Sequence, residues 1–202
     1  MKNPLPAFAI ALALAACSTE QPPAADNGSY SATPANAADP IVANTATPAP
    51  AAPLPPAPAA NTLMLEGLGD LRIGRPIPAG STWAERGAQA SDTCRIIISP
   101  DFAGTYAIVE AGKVRRITAG QGSTVRLAEN IGVGATEKEV RRWFAGFRAE
   151  PHEYQSAPAK YLTAPNAASG DPALRFEIGS DGKVTLIHIG TMPVLGYVES
   201  CA

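Results

Sequence analysis

The sequence is short of the residues that catalytic and metal sites draw on. It has two histidines, His152 and His188, and three cysteines, Cys17, Cys94 and Cys201. Neither Cys94 nor Cys201 has a CxxC partner or a histidine close by, so the ligand spacing of a metal site is missing. There is no G-x-S-x-G nucleophile elbow and no GxxxxGK[ST] phosphate loop. Gly132-Val133-Gly134 lacks the third glycine of a dinucleotide fingerprint, and Glu137 and Glu139 would repel an anion from that turn. The reading is therefore of a non-enzyme with no catalytic residue, cofactor or metal. A charge surplus is missing as well. The formal net charge is -2. From residue 62 onward fifteen Lys and Arg face fifteen Asp and Glu, once Lys2 and Glu20, Asp26 and Asp39 are set aside. That balance argues against nucleic acid as a partner.

What is present starts with an export signal. Lys2 supplies the charged region, and "LPAFAIALALAA" is an apolar run too short to span a bilayer as a mature helix. The run ends in "LAAC", Leu14 to Cys17, which resembles the bacterial lipobox. That resemblance implies a signal peptide over 1–16 and a lipidated (palmitate-bearing) Cys17 as the first mature residue. The alternative is an ordinary secretory signal with an incidental cysteine. Acyl chains contribute about 0.8 kcal/mol per buried CH₂, so several give a firm anchor. Ser18 follows, where an aspartate would imply retention at the inner membrane. The expected location is the cell envelope, at the periplasmic face of the outer membrane, with the membrane itself a partner through the lipid. Residues 17–61 then form an Ala/Pro-rich tether ("TATPAPAAPLPPAPAA") with too little apolar bulk to offset the entropy of ordering it.

Residues 62–202 are one domain's worth of chain. With Cys17 lipidated, one intramolecular bridge remains possible, Cys94–Cys201, and the periplasm permits it. It would close a loop of about 100 residues, worth roughly 4–5 kcal/mol in the chain-entropy account, and would pin the C-terminus. Two free buried thiols are the alternative.

Within this domain the sequence echoes itself. "AGKVRRITAG" (111–120) and "DGKVTLIHIG" (181–190) share Gly-Lys-Val at an offset of 70, and each follows a strand-like run, "TYAIVE" or "ALRFEIG". Strand, glycine turn, strand predicts a hairpin in each half. Upstream, Gly74 in "LRIGRPIPAG" faces Gly134 in "IGVGATEKEV". The second glycine precedes a helix whose N-cap is Thr136, with Glu139 completing a capping box and Val140, Trp143, Phe144 and Phe147 forming one apolar stripe. A shorter first helix is expected over Ser81–Gln89, broken by Gly87 and anchored by Trp83. The predicted fold class is α+β: two tandem helix-plus-β-hairpin repeats, about 65–122 and 125–202, with helices packed on an antiparallel sheet.

The order "IGxG-T-x-x-EV-x-x-x-F … LRFEIGSDGKVTLIHIG" resembles the tandem repeat of the beta-lactamase inhibitor protein family and the small outer-membrane lipoproteins of the barrel assembly machinery. In these a glycine-threonine turn opens a helix in front of an antiparallel sheet. The resemblance implies a binding role with no catalysis. The first half departs from the pattern, with "GRPIPAGSTW" at the helix start, and the cysteine pair is not a hallmark of those families. The ending "YVE-x-CA" is similar to that of a group of envelope proteins and carries no activity with it.

The long link at 149–172 holds the candidate interface: His152, Tyr154, Lys160, Tyr161 and Asn166. Long ordered loops are often functional, and tyrosines are enriched in contact surfaces. The structural alternative is an added strand in which Tyr161 and Leu162 fill the core. Lys113, Arg115 and Arg116 read as a solvated basic group, and His188 as a strand residue facing away from Ile187 and Ile189. The expected function is a lipid-anchored periplasmic module that binds another envelope protein, in assembly or enzyme inhibition. A structural or glycan-binding lipoprotein is the alternative.

Overall fold

The computed structural model describes residues 59–89 and 91–201. The signal peptide, Cys17 and the tether up to residue 58 lie outside them. The described chain is mostly β. Twelve strands form two sheets, and a single α-helix lies in the second half. This overturns the expected pair of helix-plus-hairpin repeats.

The large sheet runs β4 (Ala84–Glu85), β5 (Cys94–Ile98), β6 (Thr105–Glu110), β7 (Lys113–Ala119), β12 (Val184–Gly190), β11 (Ala173–Ile178), β10 (Lys160–Thr163), β9 (Arg148–Pro151), in that spatial order. Every pairing in it is antiparallel. The small sheet has the order β3 (Leu71–Arg72), β2 (Gly67–Leu68), β1 (Thr62–Met64), β8 (Arg126–Leu127), with β1 and β8 parallel.

Both expected hairpins are present, as β6–β7 and β11–β12, and they meet along β7 and β12. There Ile117 faces Ile189 and Ala119 faces Ile187, so the register is symmetric about the Thr118–His188 pair. The offset of 70 in the sequence is the offset of that local two-fold. The glycine turns dock on the hairpins in matching ways. Gly74 N–H donates to Val114 O at 2.7 Å and receives company from Val114 N–H to Arg75 O at 2.8 Å. Gly134 N–H donates to Val184 O and Val184 N–H to Ala135 O, both at 2.8 Å. Both glycines have positive φ, 78° and 89°, which a side chain would resist.

The halves part company after the glycine turns. In the second half, α1 spans Glu137–Trp143. Thr136 Oγ1 accepts from Glu139 N–H and the Glu139 carboxylate accepts from Thr136 N–H at 2.7 Å, the full capping box. In the first half the expected helix over Ser81–Gln89 does not form among the described residues. Gly80 and Gly87 both take positive φ, leaving six residues between them, too few for helical hydrogen bonds to offset nucleation. The segment instead adds β4 to the edge of β5. Trp83 is buried as expected and stacks on Phe102 at 5.6 Å, but it does so from extended chain.

The core lies between the small sheet and helix on one side and one face of the large sheet on the other. Leu63, Leu68, Leu71, Val125, Leu127, Ile131 and Val140 meet Ile97, Ala107, Ile117, Phe176, Ile187 and Ile189. Phe144 and Phe147 join Phe176 in an aromatic trio, with centroids 5.0–5.9 Å apart. The predicted stripe on α1 is therefore broken at one position. Val140 and the two phenylalanines pack inward, whereas Trp143 is 60% exposed. The helix ends at Trp143, and Phe144 is already its C-cap, with φ -122°. The α-helical spacing that placed Trp143 on the stripe does not hold through the turn that brings Phe147 inward.

Candidate functional site

Two places gather functional side chains: a buried polar cluster on the far face of the large sheet and an open groove beside the aromatic trio.

Strand alternation builds the cluster. On β11, Leu174, Phe176 and Ile178 enter the core, so Arg175 and Glu177 point to the opposite face. Tyr161 pairs with Glu177, Thr163 with Arg175, and His188 sits between Arg175 and Thr118. The C-terminal segment covers this face. Arg116 Nη1 donates to the carbonyls of Val194 at 3.2 Å and Tyr197 at 2.6 Å, and Arg175 Nη1 donates to Gly196 O at 3.3 Å. The Cys94–Cys201 disulfide ties down the end of the segment, and Tyr154 Oη donates to Glu199 Oε1 at 2.6 Å. That bond pushes the Tyr154 phenol up to about 12.

Protonation inside the cluster follows from its hydrogen bonds. His188 is 2% exposed, and burial pulls its imidazole down to about 4, so it is neutral near pH 7. Its Nε2 lies 3.1 Å from Glu177 Oε1 and its Nδ1 lies 2.9 Å from Thr118 Oγ1. An ionised carboxylate only accepts, so Nε2 carries the proton and Thr118 donates to Nδ1. Burial pushes the Glu177 carboxyl up, but the bond from His188 and the two nearby histidines outweigh it and hold the group below its usual range. His152 Nε2 approaches Glu177 Oε2 at 3.5 Å, while its Nδ1 accepts from Tyr154 N–H. Arg175 lies 4.0 Å over the Tyr161 ring, and His152 stacks on that ring at 4.7 Å.

Thr118, His188 and Glu177 thus stand in the order of a hydroxyl–imidazole–carboxylate relay. Thr118 is wholly buried. The hydroxyl and the imidazole are both closed off from solvent. Among the described residues no group of three or more His, Cys, Asp or Glu side chains is placed to hold a metal ion.

The five residues of the expected interface do not form one surface, although His152 and Lys160 border the same hollow beside β9. Tyr161 is 3% exposed and lies within the cluster, on the added strand β10 beside buried Leu162. His152 is tucked against it. Lys160 reaches across to Glu137 of α1 at 3.0 Å, and Tyr154 is exposed at the edge of the C-terminal segment. Asn166 alone lines the groove. The basic group is corrected too. Lys113 is exposed, but Arg116 is 1% exposed and holds the C-terminal segment. Its strand parity with Thr118 and His188 was the available signal, since three polar residues on one face of paired central strands imply that something covers them.

The groove was not visible from sequence. It has a volume of about 400 Å³. Leu63–Glu66 and Leu127–Glu129 form one wall, at the ends of β1 and β8; Phe144, Phe147, Ala164, Asn166, Ala173 and Leu174 form the rest. Its lining is apolar apart from Asn166 and two carboxylates, Glu66 and Glu129, and neither of these pairs with a cation among the described residues. An apolar cleft with a few polar groups at its rim suits capture of apolar side chains.

No protein-family model, curated protein or solved structure matches the chain.

Proposed function

We propose that the chain is a lipid-anchored periplasmic protein of the outer membrane that serves as a non-enzymatic protein-binding module, in envelope assembly or enzyme inhibition. The observation that carries this reading is the open apolar groove beside Phe144 and Phe147; the Thr118–His188–Glu177 relay, by contrast, is buried. Large, partly exposed apolar residues border it, Leu65 at its wall and Trp143 next to Phe144 in the chain. Such patches mark interaction surfaces. The lipobox-like "LAAC" and the 17–61 tether support the anchored location.

A photo-crosslinking residue at Leu65 in the full chain, expressed in its own envelope, tests the binding role. A discrete protein adduct at Leu65, absent when the same probe stands at exposed Ile98 on β5, is the expected result. An equal smear at both positions, or no adduct at either, overturns the reading.

A further inference from the structure

The groove has unmatched acids, and the same molecule carries an unmatched base-and-aromatic knob. Trp143 is the most exposed large apolar residue of the domain after Tyr154, and unlike Tyr154 it has no hydrogen-bond partner among the described residues. Arg142 and Lys138, exposed on α1, form no ion pair there, whereas their neighbour Arg141 is held by Glu137 at 2.8 Å. We propose, resting on the protein-binding reading above, that the groove takes a second copy of this chain: Trp143 of each molecule seats in the groove of the other, with Arg142 against Glu129 and Glu66.

Three observations favour this occupant. The charges complement each other, since the groove's only ionisable lining residues are two carboxylates and the knob carries cations. Knob and groove also adjoin in the chain, because Phe144 lines the groove one residue after Trp143. A patch holding both a knob and its own complement can meet its copy across a two-fold axis, which closes the assembly at two. The chain's own tether is a poor rival. Residues 18–60 contain no Lys or Arg and three acids, so they would bring like charge to Glu66 and Glu129. Tryptophan and arginine are the residues that most often dominate a contact when seated in a pocket. Anchoring both copies to one membrane would raise their effective concentration, so a modest contact suffices.

The test places a photo-crosslinking residue at Trp143 in the full chain in its own envelope and maps the adduct by mass spectrometry. The expected product has twice the chain's mass, with the crosslink in Met64–Glu66 or Leu127–Glu129. With the probe moved to Leu65, the double Glu66→Lys, Glu129→Lys variant lowers the dimer adduct by about ten-fold or more. Adding Arg142→Glu restores it. Trp143 is exposed, so Trp143→Ala leaves the melting temperature unchanged while removing the Leu65 dimer adduct. A dimer crosslinked elsewhere, or a Leu65 adduct that charge reversal leaves intact, overturns the proposal. Adducts only to a different protein overturn it too, while the protein-binding reading stands. Absence of any adduct at both positions removes both.

Discussion

Ile117 and Thr118 are neighbours on β7, both fully buried, and they point to opposite faces of the large sheet. Ile117 joins the cluster of leucines, isoleucines and Phe176 beneath the small sheet. Thr118 donates to His188 beneath the C-terminal segment. One face is held by removing apolar area from water, at roughly 25 cal/mol per Å². The other is held by the hydrogen bonds that link Thr118, His188 and Glu177 and by those from Arg116 and Arg175 to the carbonyls of the C-terminal segment. The contrast predicts different failures. The apolar face should lose stability in proportion to volume removed. The polar face should fail when one member of the network loses its partner, because the orphan's desolvation is then uncompensated.

The cover of the polar face is the first place to break the comparison. The Cys94–Cys201 bridge closes a span of 107 residues. Replacing both cysteines by serine should cost about 4–5 kcal/mol, read from the urea midpoint. Amide exchange should accelerate first in 191–201, leaving β10–β12 protected; uniform acceleration would show that the cover is not a separate unit. The apolar face comes next. Phe176→Ala removes the ring shared by Phe144 and Phe147 and should cost about 3–5 kcal/mol. Its exchange pattern should accelerate globally.

Sequence reading saw the apolar face better than the polar one, for a physical reason. Hairpins, register partners and capping boxes are set by neighbours a few residues apart, so Gly112-Lys113-Val114, Gly182-Lys183-Val184 and Thr136–Glu139 were legible. Cys94–Cys201 was legible because two cysteines leave one pairing. The first helix failed because glycines at 80 and 87 adopt left-handed conformations, which a propensity reading of "STWAERGAQ" weighs too lightly. Arg116 was misread as solvated because its partners, the carbonyls of Val194 and Tyr197, lie about 80 residues away and have no side-chain signature. The groove arises where the ends of β1 and β8 approach the α1 turn, which is long-range geometry. Of the five expected interface residues, only Asn166 lines it, and the link's Tyr161 is buried in the polar cluster on the other face of the sheet.

The next prediction separates the faces by pH. His188 is held near 4 by burial against an ordinary value of 6.5, with Arg116 and Arg175 also disfavouring its charge and Glu177 opposing them. Above pH 6.5 the histidine is neutral folded or unfolded, and its contribution is fully present. Between 6.5 and about 4 the unfolded chain takes up a proton that the folded chain refuses, so stability falls as pH falls. The loss should total roughly 3 kcal/mol by pH 4. In His188→Gln that part of the slope should vanish, while Phe176→Ala should keep it. Equal slopes in the wild type and His188→Gln would show that His188 does not carry the difference.

The smallest and sharpest comparison puts the same residue, valine, at both neighbouring positions. Ile117→Val removes one methylene from the apolar cluster and should cost about 0.5–1.5 kcal/mol. Thr118→Val removes no volume of consequence, but it deletes the hydroxyl that donates to His188 Nδ1. It should cost about 1–3 kcal/mol, because a buried acceptor is left without a partner. On volume alone the order would be reversed, so the ranking of the two urea midpoints decides. If Ile117→Val proves the costlier of the pair, then area governs both faces. The double variant adds a check, since the two side chains point to opposite faces and share no partner. Their costs should sum to within about 0.5 kcal/mol, and a larger deviation would mean that strain in β7 passes from one face of the sheet to the other.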